Sequence, residues 1–218
     1  MTTERQAIVG ERTVQIPSGT VRLEGNLHIP PGAQGTVVFA HGSGSSRFSP
    51  RNRYVAQVLQ EAGIGTLLFD LLTEDEAQDR AKVFDIDLLA QRLMAATDWL
   101  REQALPEGMR VGYFGASTGA AAALEAAASL GPAIAAIVSR GGRPDLAEPY
   151  LSRVVAPTLL IVGELDPLVL ELNKAAYAAL NTEKELVIVP GAGHLFEEPG
   201  ALEKVAELAT NWFKRHFA

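Results

Sequence analysis

No cysteine occurs among the 218 residues. That absence excludes disulfides, thiolate zinc sites, iron–sulfur clusters and a thiol nucleophile. Basic side chains are outnumbered, 19 against 26 acidic, leaving a formal charge of −7. A general nucleic-acid surface is therefore not expected, because phosphate binding needs clustered Lys and Arg. No apolar run approaches the roughly 18–20 residues that a membrane helix requires. The segment from Met1 to Gly10 is polar and lacks a signal-peptide core. A soluble, cytoplasmic chain without nucleic-acid or membrane partners is the expectation, as a monomer or homodimer.

What is present is an alternation of short apolar runs and amphipathic stretches. Residues 12–16 and 20–28 alternate at period two around the Ser18-Gly19 turn, as half-buried strands do. Continuous apolar runs follow at 36–40, 66–69, 111–114, 134–138, 158–162 and 186–189. Such runs suit a parallel sheet covered on both faces. Between them, Val55, Val58, Leu59 and Ala62 share one helical face. Ile86, Leu89, Leu93, Ala96 and Leu100 form one stripe, and Leu202, Val205, Leu208, Trp212 and Phe213 another. Ala120 to Leu130 is alanine-rich nearly all round, which suits a helix packed closely on a sheet. Trp99 and Trp212 are expected in the core.

The pattern predicts a single doubly wound α/β domain over 1–218, with the first two strands as an antiparallel edge. Irregular stretches at 41–50, 71–84 and 140–156 are where a site would be built.

Gly115-Ala116-Ser117-Thr118-Gly119 joins the strand 111–114 directly to the alanine-rich helix. Gly-x-Ser-x-Gly in that strand–turn–helix setting lifts a serine above the sheet edge on a sharp turn, which small flanking residues permit. The helix N-terminus aims amide N–H groups at the same point. The alternative for Ser117 is an ordinary helix cap.

A serine nucleophile needs a histidine to take its proton and a carboxylate to orient that histidine. Of four histidines, His28 lies in an early strand, His41 precedes the serine, and His216 ends the last helix. His194, in Pro190-Gly191-Ala192-Gly193-His194, is the one in a glycine-rich loop at a strand C-terminus downstream of Ser117. Asp166 follows the strand 158–162, with Glu164 a close competitor and Asp145 a weaker one. The glycines of His41-Gly42-Ser43-Gly44 would let amides approach a substrate oxygen. The backbone N–H groups of Thr118 and Ser43 are the expected oxyanion donors, with Gly44 the alternative to Ser43. The loop lacks both the Gly-Lys-Ser/Thr ending of a P-loop and the spacing of a dinucleotide fingerprint.

These motifs together resemble the α/β-hydrolase superfamily, most closely its dienelactone hydrolase-like branch. The resemblance covers nearly the whole chain. It implies a mostly parallel eight-stranded sheet whose second strand runs antiparallel. It also implies Asp166 as the triad acid, through the stretch Gly163 to Val169 that matches the family's Gly-x-x-Asp-x-x-Val. Dienelactone hydrolases proper carry a cysteine where this chain has Ser117, so their named lactone does not transfer. Ser139 to Asp145, with Phe48 to Arg53, looks like a subgroup of uncharacterised hydrolases, some of which carry a phosphoribosyltransferase label through fusion to such a domain. No phosphate loop of that type is visible here.

About twenty residues separate strands six and seven, too few for a large cap domain. An open site for small soluble carboxylic esters or lactones is expected, with no metal or organic cofactor. Among the loop arginines, Arg140 and Arg143 are the candidates for binding a substrate carboxylate. Arg47, Arg51 and Arg53 gather in the same loops, and the alternative for all five arginines is pairing with the acidic residues Glu74, Asp75, Glu76 and Asp79. Two other readings stand beside ester hydrolysis: acyl transfer or perhydrolysis on the same acyl-enzyme, and a catalytically silent binding module.

Overall fold

A computed structural model describes residues 10–103, 105–106 and 108–218. The polar segment read at the N-terminus lies outside them except for Gly10.

Eight strands form one sheet: β1 (Gly10–Ser18), β2 (Val21–Ile29), β3 (Gly35–Ala40), β4 (Gly65–Phe69), β5 (Arg110–Ala116), β6 (Ala136–Arg140), β7 (Thr158–Gly163) and β8 (Lys184–Val189). Their order is β1-β2-β4-β3-β5-β6-β7-β8. β2 runs antiparallel to both β1 and β4, and every other pairing is parallel. The central strands β3 to β7 are buried along nearly their whole length, because helices cover both faces. β6 begins at Ala136, two residues later than its apolar run suggests, because Gly131–Ala133 makes a 3₁₀ turn first.

Among the described residues six α-helices accompany the sheet: α1 (Pro50–Glu61), α2 (Arg80–Val83), α3 (Ile86–Gln103), α4 (Thr118–Leu130), α5 (Pro167–Ala179) and α6 (Ala201–Phe217). α1 starts where Ser49 accepts the Asn52 N–H and Pro50 occupies the first turn. α3 buries Leu89, Leu93, Ala96 and Leu100, the stripe its spacing predicts. α4 buries every residue from Thr118 to Ala127, so its methyl side chains let it lie close on the sheet. α1 and α6 pack together on one face, where the core gathers Phe39, Phe114, Phe196, Trp212 and Phe213. α3 and α4 cover the other face over Tyr113, Leu67 and Ile137. Trp212 is buried as expected, and Trp99 packs against the second core from a half-buried position.

α5 carries no clean apolar stripe, because its buried face includes Asn173 and its other apolar residues lie around the helix. It buries only Val169, Asn173 and Ala176 and leaves Leu168 70% exposed. Two of the three stretches expected to be irregular hold short helical pieces: Glu76–Gln78 and α2 in 71–84, and a 3₁₀ segment Pro144–Arg153 in 140–156. There is no room between β6 and β7 for a large cap. Among the described residues no helix is long and apolar enough to cross a membrane. The C-terminal ends of β3, β5, β6 and β7, and the loop after β8, converge at one edge of the sheet.

Candidate active site

Ser117 sits between β5 and α4 with φ +52° and ψ −121°. Among the described non-glycine residues, it shares a positive φ only with Phe196. Left-handed backbone is unfavourable for an L-residue, and it persists where the surroundings over-determine it. They do so here. A Cβ on Gly115 would come within 2.4 Å of Ala120 Cα, and one on Gly119 within 2.1 Å of the Ala40 carbonyl oxygen. Both glycines are therefore required by contact. Backbone bonds clamp the turn further: Ser117 N–H donates to the Arg140 carbonyl (3.2 Å), and Arg143 N–H donates to the Ser117 carbonyl (3.0 Å).

His194 lies in the loop after β8. Its Nδ1 is 2.6 Å from Asp166 Oδ2. Asp166 stands at the end of the β7 loop, immediately before α5, and its carboxylate is largely sheltered at 16% exposure. Glu164 is engaged elsewhere, accepting the Gly191 N–H at 2.8 Å. Asp145 binds Arg143. Of the three carboxylates left open by the residues alone, Asp166 is the one on the imidazole. The His194 loop is itself tied down. Glu198 accepts the Gly193 N–H (3.0 Å), and Phe196 is buried. A Cβ on Gly163 would come within 2.3 Å of the Ala192 carbonyl oxygen, so β7 and this loop are in tight contact.

Gly141 connects the two halves. It follows Arg140, whose carbonyl holds Ser117, and the imidazole ring of His194 lies about 3.5 Å from where its Cβ would be. The structure thus brings Ser117, Asp166 and His194 to one sheet edge. The hydrogen bonds of Ser117 among the described residues are backbone ones, and its hydroxyl is not bonded to His194 here. Such contacts tighten when substrate arrives, and their absence does not count against a site.

The loop after β3 abuts the elbow: a Cβ on Gly42 would lie 3.1 Å from Ser117 Cβ. Sequence reasoning gave His41 no role, yet it organises this loop. Leu71 N–H donates to His41 Nε2 (3.1 Å), so the ring proton is on Nδ1, which donates to the Gly42 carbonyl (3.0 Å). Burial pushes the His41 pKa below 6.5, against the opposing effects of the Gly42 bond and Asp70. Asp70 accepts the Arg47 N–H and pairs with the Arg47 guanidinium, which also reaches Glu24. The histidine's position directly before Gly42, at the end of a buried strand, was the available signal.

The two expected oxyanion donors are not equivalent. Thr118 is the first residue of α4, and no hydrogen bond is formed by its amide among the described residues. Ser43 N–H, by contrast, already donates to Thr118 Oγ1 at 2.9 Å. A cavity of about 530 Å³ lies beside the loop, lined by Ser43, Gly44, Leu71, Leu72 and Val83. Ser117, Asp166 and His194 do not line it.

The arginines also separate. Arg143 makes a two-point contact with Asp145 (2.8 and 2.7 Å), so its charge is answered within the loop. Arg51 pairs with Glu197. Arg140 is 8% exposed, and its buried Nε and Nη1 have no hydrogen-bond partner. Its guanidinium lies 5.9 Å from the Phe196 ring centroid, two residues past His194. Burial, and then repulsion from Arg51, push its pKa down to about 10. Among the described residues no group of three or more His, Asp or Glu is arranged to hold a metal.

Comparison with known proteins shows the family and the fold. The model of the dienelactone hydrolase family matches residues 23–217. A crystallised dienelactone hydrolase from Anabaena variabilis is 57% identical, with a TM-score of 0.90 over 94% of this chain and 97% of that one. Est1E from Butyrivibrio proteoclasticus, 17% identical, shares the fold with a TM-score of 0.79 over 94% of this chain and 98% of its own. A Mycobacterium tuberculosis protein provisionally named a phosphoribosyl transferase is 59% identical over 206 residues. That match covers 94% of this chain but 46% of the relative, so the chain spans about half the relative's length. With this match over nearly its whole length and an eight-stranded, mostly parallel sheet, the chain belongs to the dienelactone hydrolase family and has the α/β-hydrolase fold.

Proposed function

We propose that this hydrolase is a serine esterase acting on small soluble carboxylic esters or lactones. The observation that carries the reading is Ser117 held at φ +52° between glycines that admit no side chain, with His194 and Asp166 brought to the same edge. His194 Nε2 takes the hydroxyl proton as Ser117 Oγ bonds to the substrate carbonyl carbon. The alcohol leaves with that proton, and an acyl-enzyme remains. Water, deprotonated by His194, then releases the acid. Asp166 holds the imidazole with its proton on Nδ1 and stabilises the imidazolium. The His194 side chain is 39% exposed and no large cap covers it, which favours water over another acceptor.

Arg140 extends the reading to the substrate. A buried guanidinium with unpartnered nitrogens is costly unless an anion completes it. An ester or lactone bearing an acidic group supplies that anion, and Arg143, already matched to Asp145, is not needed for it. The transferase name borne by the mycobacterial relative refers to a chain twice as long, and the residues matched here carry the hydrolase features.

The test is turnover of p-nitrophenyl acetate and labelling by a fluorophosphonate probe. Wild type is expected to do both, and Ser117→Ala neither. A wild-type protein that does neither refutes the reading.

A further inference from the structure

The oxyanion region contains an unused donor. Thr118 Oγ1 accepts the Ser43 N–H at 2.9 Å, and Thr118 is 3% exposed. A threonine hydroxyl has one hydrogen to give and two lone pairs. One lone pair is used by Ser43, while the hydrogen has no acceptor among the described residues. The same residue's amide is one of the free N–H groups at the start of α4. Both donors belong to the residue next to Ser117.

We infer that Thr118 contributes two hydrogen bonds to the developing oxyanion, one from its amide and one from its hydroxyl. The Ser43 amide acts one step behind, by donating to that hydroxyl. This deepens the serine-esterase reading and rests on it. As Ser117 Oγ bonds to the carbonyl carbon, the carbonyl π pair moves onto oxygen, and the hydroxyl hydrogen turns to it without surrendering its bond from Ser43. A hydroxyl that accepts a hydrogen bond is polarised into a stronger donor. The loop after β3 is held for this role by the His41 bonds to Gly42 and Leu71. Ser43 is then a positioning residue and Thr118 a catalytic one. The competing arrangement has the Thr118 hydroxyl rotate aside and free the Ser43 amide to bind the oxyanion directly.

The two arrangements predict opposite results for Thr118→Val, which keeps the branched shape and deletes the hydroxyl. Loss of one oxyanion donor lowers kcat by about 100-fold or more. With p-nitrophenyl acetate, T118V is expected to show that loss with KM changed little, and T118S to restore most of the rate. Inhibition by a trifluoromethyl ketone, whose adduct carries the oxyanion, is expected to weaken in T118V in parallel with kcat/KM. Melting temperatures of all variants are measured, and T118A replaces T118V if valine does not fold. An unchanged or higher kcat in a folded variant lacking the hydroxyl overturns the inference, since it means the hydroxyl only blocks Ser43. So does T118S falling as far as T118V, which would assign the effect to packing of the methyl group. If wild type neither turns over ester nor labels at Ser117, the serine-esterase reading itself has failed, and this result is distinct from the other two.

Discussion

Replacing Arg140 with methionine should make the protein more stable and less selective. The guanidinium's pKa is pushed down from the usual arginine value to about 10, chiefly through burial and then through Arg51. That drop corresponds to a handicap of the charged form of about 3 kcal/mol. The sign follows from linkage. A folded-state pKa below the unfolded value means the folded protein holds this proton less well, so the handicap is present in full at any pH below about 10. Methionine follows the same path through the core without a charge. It forfeits the contact with Phe196, worth about 1 kcal/mol, and fills the space less completely. The net gain expected is about 1–2 kcal/mol, or a melting temperature higher by about 2–8 °C in a chain of this size. The function should move the other way. A hydrogen-bonded charge contact is worth about 1.5–3 kcal/mol, so preference for an acidic ester over its neutral counterpart should fall by about 10- to 100-fold. The assay pairs thermal melting with kcat/KM on a p-nitrophenyl hemiglutarate and a p-nitrophenyl butyrate. A variant that melts lower than wild type and keeps its preference would refute the reasoning, because Arg140 would then have a compensating partner within the fold.

Asp166→Asn should lower kcat/KM by about 10³- to 10⁴-fold, since the amide no longer fixes the productive His194 tautomer; Glu164→Gln, acting on a carboxylate bound to Gly191 N–H, should change it by less than about 3-fold. Gly119→Ala should cost about 1–3 kcal/mol in a denaturant melt and depress turnover, because its Cβ would meet the Ala40 and His41 carbonyl oxygens at 2.1 and 2.6 Å. His41 should make stability depend on pH. Its folded pKa lies below 6.5, so its contribution is whole above pH 6.5 and lost as the pH falls below it, where the unfolded chain takes up the proton first. Melting curves from pH 8 to pH 5 should slope less in His41→Asn than in wild type, and equal slopes would count against the assignment.

The strands were legible because each buried parallel strand is a continuous apolar run, and the helices α1, α3, α4 and α6 because each buries one coherent face. α5 was not, since only Val169, Asn173 and Ala176 reach the interior and its apolar residues are scattered around it. β6 was misplaced by two residues because Ile134 is buried without being in the sheet. Ser117 could be singled out because the turn that carries it needs glycine on both sides within five residues.

Local chemistry is therefore written in the chain: the strand–turn–helix around Ser117, the glycine loop before His194, and the absence of any thiol to compete with the serine. What required the tertiary structure was the choice among like groups that lie close together in sequence but meet different partners. Asp166 reaches His194 while Glu164 folds back to Gly191. Arg143 meets Asp145 while Arg140 is buried without a carboxylate. Ser43 N–H, 75 residues from Thr118, finds its hydroxyl. A sequence states which donors and charges exist. Which of them are satisfied depends on how β3, β5, β6, β7 and the loop after β8 meet at one edge.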